Sequence, residues 1–234
     1  MITLAVDTAT SCASGAIAEN GKILVELNMQ HGKTHSQKIV PMIMTMLDMI
    51  GRDVDDIDLY AASVGPGSFT GLRIGVVTVK GFAYAHKKPV CGIMTLDALA
   101  YSMPDFKGII SPMLDARNNQ VFTALYRKEN NSLEKILPET GIHIDEWADT
   151  LDSYKEDILI LGDAVPLHFE RLKDICNEKI VCANNAVSYT RAAAVALLAE
   201  QAYKNNQYES AFDLKPMYLR KSQAERMKEL GSKE

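Results

Sequence analysis

The sequence is sparing with cysteine and with every common catalytic signature, and each gap excludes something. Its four cysteines, Cys12, Cys91, Cys176 and Cys182, are widely separated, with no CxxC motif and no Cys/His cluster. Isolated cysteines of this kind read as reduced, buried thiols rather than as a disulfide framework or a zinc site. No apolar run approaches the ~20 residues of a membrane-crossing helix. The opening MITLAVDTATS lacks the basic start and long apolar stretch of a secretory signal, so the expectation is a cytoplasmic protein with no membrane partner. Positive charge is also short: the formal net charge is −5, whereas domains that bind nucleic acid unaided usually carry a basic surplus.

The sequence has no GxxxxGK[ST], GxGxxG, HExxH or GxSxG, which removes the P-loop, dinucleotide-fold, zincin and α/β-hydrolase signatures. His31 and His35 are spaced i,i+4, but Gly32 lies between them, the helix is expected to start only near His35, and no carboxylate motif accompanies them. No metal site is therefore expected.

What is present is material for a core. Of 234 residues, 47% are hydrophobic and 24% charged, enough for one large domain or two lobes of about 100 residues each. ITLAVDT, CASGAIAEN and KILVELNMQ read as consecutive strands with a hairpin at Asn20-Gly21. A helix starting near Thr34 to Ser36 carries Ile39, Ile43, Met46/Leu47 and Ile50 on one stripe and ends at Gly51. DLYAASVG reads as a buried strand, a second helix is expected over about 70–86, and VCGIM and TLDALAYSM follow as strand and short helix. The pattern then partly restarts after Pro104-Asp105: GIISPMLDA, the turn Asn118-Asn119, QVFTALYRK, a turn at ENNS, and LEKIL. This is an internal repeat, with Asp7 and Asp115 in corresponding places at strand ends. Helices at 145–152 and 165–175, strands DILILGD and KIVCA, and an alanine-rich helix at 188–204 complete the pattern. The division expected is an N-terminal lobe at 1–104, a C-terminal lobe at 105–212, and a segment at 213–234 that returns to the first lobe and ends in a charged tail.

The stretch SVGPGSFTGLRIGV draws the eye for its glycines, Gly65, Gly67, Gly71 and Gly75. Two readings stay open from the residues alone: free amides at a helix start that receive an anion, or a tight strand-to-helix turn capped by Ser68 or Thr70. Glycine inside a helix costs about 1 kcal/mol relative to alanine, so Gly71 and Gly75 on one face indicate close approach by another backbone. The helix they begin is apolar on more than one side, and the preceding helix adds Met42, Met44, Met46 and Met49 to its stripe. Such surplus suits either core filling or a docking surface. Asp7 and Asp115 likewise stay open between holding a Mg²⁺–phosphate and capping local turns.

Together, MITLAVDTATSCASGAIAE, SVGPGSFTGLRIGVVTVKGFAYAHKKPVCGI, MLDARNNQVFTALY and KPMYLRKSQAER resemble the TsaB (YeaZ) family over essentially the whole chain. The resemblance implies an α/β, two-lobed actin-like/Hsp70-like ATPase fold with a duplicated β-meander plus helices. It implies a part in forming N6-threonylcarbamoyladenosine beside the anticodon of tRNAs reading ANN codons, with transfer catalysed by the paralogue TsaD and a small ATPase, TsaE, completing the set. TsaD-like proteins carry metal-binding histidines as HxxxH after a KPLIGV-like strand; here those places fall on Thr95 and Leu99, which cannot make that site. Asp115 lacks the following glycine of an actin-like phosphate loop, and Leu161-Gly162-Asp163-Ala164 lacks the glycine pair of an adenosine loop. The implication is a non-catalytic subunit without a cofactor of its own, the ATP and metal belonging to partner subunits, and touching tRNA only through the complex. Pairing with TsaD, or with a second copy, is implied through the two N-lobe helices. Ile39, Met42, Ile43, Met46, Leu72, Arg73, Val76 and Lys80 are the contact candidates carried over, and Asp7 and Asp115 a degenerate phosphate loop. The rival is an ATP-dependent phosphotransferase or ATPase of the same fold.

Overall fold

Asn20 and Gly21 take φ of +51° and +84°, the left-handed pair that a two-residue hairpin demands. They join β2 (Ala13–Glu19) to β3 (Lys22–Met29), and β1 (Ile2–Asp7) runs antiparallel to β2. β4 (Leu59–Gly65) and β5 (Val90–Met94) add in parallel on the other side of β1, giving the sheet order β3-β2-β1-β4-β5. Every residue of β1 and β4 is buried, as central strands covered on both faces require. The computed structural model describes residues 1–30, 35–130, 132–184 and 187–219; His31, the Thr34 cap and the charged tail lie outside them.

Side-chain size alternates along β1 and decides what packs where. Ile2, Leu4 and Val6 face α1 (His35–Met49) and α2 (Phe69–His86), while Ala5 faces the opposite side. There Ala5, Ala16, Ala18 and Ala61 meet Ala192, Val195, Ala196 and Ala199 of the last helix, small residues against small ones. That helix is α6, Ala192–Lys204. It starts four residues later than the sequence suggests, and it packs on the first sheet, not within the C-terminal lobe to which its position in the chain assigns it. The chain after α6 stays with the same sheet: Glu209 bridges Val90, and Met217 N donates to Val64 O at 2.6 Å.

The second sheet repeats the first. β6 (Phe106–Asp115), β7 (Gln120–Glu129) and β8 (Ser132–His143) form an antiparallel meander, and β9 (Ile158–Leu161) and β10 (Ile180–Cys182) add in parallel beside β6. The order β10-β9-β6-β7-β8 is that of the first sheet with each number advanced by five, so Asp7 and Asp115 end equivalent strands. α4 (Ile144–Asp152) and α5 (Val165–Cys176) cover one face around the buried Trp147, whose indole Nε1 donates to Ser111 Oγ at 3.2 Å. α3 (Thr95–Tyr101) bridges the sheets, Ala98 packing toward the first and Leu96, Leu99 and Ala100 toward the second.

All four cysteines are free thiols, but only three are buried; Cys182 is exposed because β10 is a three-residue edge strand. Burial pushes the Cys12 and Cys91 thiols up, to about 11 and about 12, which keeps them unreactive.

Candidate functional site

The glycine stretch between β4 and α2 is a docking surface for its own chain. Ser68, not Thr70, caps α2, its Oγ accepting from Gly71 N at 3.2 Å. A Cβ at Gly71 would lie 2.0 Å from Thr8 O, one at Gly75 2.5 Å from Thr8 Oγ1, and one at Gly67 2.5 Å from Ala9 O. Thr8 Oγ1 donates to Gly71 O at 2.7 Å, and Ser68 N donates to Ala9 O, also at 2.7 Å. The close backbone approach expected of these glycines is therefore made by the turn after β1. On the other side Gly65, at φ +136°, leaves room for Met217 O, 2.3 Å from where a Cβ would stand.

The eight contact candidates on α1 and α2 are corrected by the same packing. Ile39, Met42, Ile43, Met46, Leu72 and Val76 are all buried, none more than 5% exposed, and all but Leu72 lie in the core with Leu4, Val6 and Ile17. Arg73 and Lys80 reach the surface, but each is engaged within the chain. Arg73 Nε donates to Tyr218 Oη at 3.0 Å, with its guanidinium 3.9 Å from the centre of the Phe69 ring. Lys80 Nζ donates to the carbonyls of Phe212 and Leu214 at 3.1 and 3.0 Å. Both cations thus strap the C-terminal segment onto α2.

What the two helices present outward lies one residue along. Val40 and Met44 on α1, and Val77 and Tyr84 on α2, are exposed at 41%, 49%, 66% and 63%. Each pair lies on one helix face, at i,i+4 and i,i+7, and the helices pack side by side. Gly81 lies between Val77 and Tyr84, with open space where its Cβ would be. With Phe212 they surround a shallow hollow of about 330 Å³. The helical period reads correctly from the sequence; its phase does not, because a helix apolar on several sides offers more than one stripe of that period.

Between the lobes lies a cleft of about 490 Å³ lined by residues that include Ser11, His35, Phe69, Asp115, Arg117 and Asp163. Asp7 does not reach it. Its carboxylate is fully buried, accepting from Ala9 N at 2.9 Å and from Ser63 Oγ, so it serves the turn and the neighbouring strand. Asp115 does border the cleft, but as a local cap: its Oδ1 accepts from Arg117 N at 2.8 Å, while its own N–H donates to Asp163 Oδ1 at 2.9 Å. Burial pushes the Asp163 carboxyl up. A phosphate here would meet the carboxylates of Asp115 and Asp163, with Arg117 as the cation beside them. Among the described residues no three His, Cys, Asp or Glu side chains converge as a metal site. Thr95 and Leu99 are both buried. Ser68 caps a helix and His35 Nε2 bonds Thr10 O at 2.9 Å, so these two do not form a nucleophile–base pair.

Burial pushes the Asp7 carboxyl above its ordinary 3.8, against the hydrogen bonds from Ser63 and Ala9. Above 3.8 the unfolded chain ionises while the folded chain keeps its proton, so this group's contribution to stability is lost as pH rises through the folded value. Asp7→Asn, which retains an acceptor for Ala9 N, is expected to remove that slope. Urea unfolding of both proteins from acid to neutral pH should show the variant gaining on the parent; parallel curves would refute this.

A model of the family described as TsaD, tRNA N6-adenosine threonylcarbamoyltransferase, matches residues 29–228. The chain is 30% identical over 225 residues to the tRNA threonylcarbamoyladenosine biosynthesis protein TsaB of Bacillus subtilis, spanning 96% of each. The chain belongs to the TsaB (YeaZ) family. It is also 33% identical over 132 residues to TsaB of Escherichia coli, 56% of this chain and 57% of that one. Among solved structures, a Pseudomonas aeruginosa protein described as similar to peptidase YEAZ superposes with a TM-score of 0.82 at 25% identity, covering 94% of this chain and 99% of its own. YeaZ of Pseudomonas aeruginosa superposes at 0.78 and 24% identity, covering 93% and 99%, a likeness of fold. The paired sheets and the bridging α3 are the two-lobed actin-like architecture of this family.

Proposed function

We propose that this chain is a non-catalytic subunit in the synthesis of threonylcarbamoyladenosine on tRNA, and that it works by pairing with a TsaD-type transferase. The observation that carries this reading is the exposure of Val40 and Met44 on α1 and of Val77 and Tyr84 on α2, two adjacent helices whose inward faces already complete a core. Exposed apolar side chains paired along a helix favour association over a free surface, and the relatives bear the name of that pathway. The hollow beside Gly81 offers a socket for a partner side chain, with Tyr84 and Phe212 as aromatic anchors. A second copy of this chain meets the same face when TsaD is absent, TsaE joins the assembled pair, and tRNA is reached through the complex in the cytoplasm.

The two carboxylates of the cleft and the buried Asp7 support leaving nucleotide and metal to the partner subunits. Copurification of the full chain with TsaD, followed by transfer assays with and without it, tests the whole reading. Transfer should need both proteins, with no activity from this chain alone. Tight binding of Mg-ATP by the isolated chain in calorimetry would instead favour a phosphotransferase of the same fold.

A further inference from the structure

β5 is an edge strand of the first sheet, and its outer side is only partly paired. Tyr60 N donates to Pro89 O at 3.2 Å. In a parallel ladder the backbone groups of successive residues point to alternate sides, so Cys91 and Ile93 turn to β4 while Val90 and Gly92 turn outward. At Val90 the outward groups meet Glu209 in an antiparallel bridge with both bonds made, at 3.0 and 2.8 Å. Continued by two residues, that ladder would set Gln207 opposite Gly92. It stops instead: Gln207 N donates to Ala202 O at 2.9 Å, and its carbonyl accepts from the Cys91 thiol at 3.4 Å. The outward N–H and C=O of the half-buried Gly92 are left without a hydrogen-bond partner among the described residues. Unpaired groups on a sheet edge are a template for another strand.

Where the ladder stops lies a groove of about 500 Å³, bordered by Gly92, Met94, Asp97, Gln201, Asn205 and Glu209 among others. Two carboxylates line it, and no Lys, Arg or His does. Asp97 pairs with Lys135 Nζ at 2.9 Å, but Glu139 shares that ammonium, so the three groups together keep one negative charge. Glu209 bridges Val90 through its backbone alone, and its exposed carboxylate has no ion pair among the described residues. Open backbone groups beside unbalanced negative charge complement an extended chain that carries a cation.

We propose that this groove takes an extended basic peptide segment of a partner protein, which adds to the edge of β5 at Gly92 and directs a lysine or arginine toward Asp97 and Glu209. None of the groove residues belongs to the pairing face on α1 and α2, so this inference stands apart from the one above.

The test is calorimetric titration of the full chain with the end-blocked peptide Val-Lys-Val-Lys-Val. Its controls are Val-Glu-Val-Glu-Val, the basic peptide N-methylated at every residue, and butylamine as a bare cation. The basic peptide should bind saturably, and N-methylation should weaken it roughly fivefold or more, as loss of even one hydrogen bond implies. Glu209→Gln, which leaves the backbone bridge in place, should weaken it roughly two- to fivefold, the range of an exposed ion pair. Amide exchange followed by NMR locates the contact: the Gly92 amide should exchange freely in the chain alone and become protected with peptide, while Ile93, bonded to β4, stays slow in both. Each of the following would overturn the proposal: no saturable binding, equal binding of the acidic or N-methylated peptide, butylamine as tight as the peptide, unchanged affinity of Glu209→Gln, or a Gly92 amide that is already protected or does not respond.

Discussion

Val77→Glu is expected to separate this chain from TsaD while leaving its fold intact, and Val76→Glu, one residue earlier, to unfold it. Val77 is 66% exposed and Val76 2%. The first substitution adds a charge to water in the free chain but, in the pairing proposed above, places it under the partner. Truncation of a hot-spot residue at an interface centre costs about 2 kcal/mol or more, and a desolvated unpaired charge is at least as costly, so affinity should fall roughly 30-fold or beyond. The second drives a carboxylate among Leu4, Val6 and Ile43. An unpaired buried charge costs several kcal/mol, a large share of the ~5–15 kcal/mol that holds a typical domain together. Co-elution with TsaD on a sizing column and thermal melts by circular dichroism separate the two effects. Undiminished co-elution of Val77→Glu would place the interface elsewhere, and a cooperative melt of Val76→Glu at the parent's temperature would contradict the burial of that face.

Gly71→Ala is expected to be among the most damaging single changes on α2, and Gly81→Ala, ten residues on, to stabilise the same helix. Helix propensity favours alanine at both by about 1 kcal/mol, so propensity alone predicts two gains. The surroundings differ completely. The added methyl at Gly71 would stand 2.0 Å from Thr8 O, a backbone atom directly after β1 that cannot swing aside as a side chain can. At Gly81 nothing lies within 4 Å. Overpacking of this kind costs about 1–3 kcal/mol and sometimes more, outweighing the propensity at Gly71, whereas Gly81 retains the gain. Urea midpoints should move in opposite directions; matching shifts would show that the turn after β1 does not hold α2 as described.

These paired variants mark where a sequence stops being legible. The duplicated meander could be read from alternation, from the Asn20-Gly21 turn and from Asp7 and Asp115 at matching strand ends, since those signals are local. The helices on α1 and α2 could be placed to within a residue or two for the same reason. Which side of them faced the sheet could not, because Ile39/Ile43 and Val40/Met44 are equally apolar pairs at the same spacing. The role of Asp7 was hidden as well: one of its partners, Ser63, is 56 residues away. Arg73 and Lys80 look like free surface cations until the C-terminal segment returns across α2.

The sequence by itself determined the α/β repeat, the family, and the need for close backbone approach at Gly71 and Gly75, because these depend on neighbours along the chain and on motifs carried intact. Only the tertiary structure decided that this approach is made by the chain's own turn after β1, that α6 belongs to the first sheet, and that the outward stripe begins at Val40 and Val77. The physical reason is that periodicity specifies which side chains share a face, while the direction that face points is set by what it can bury against.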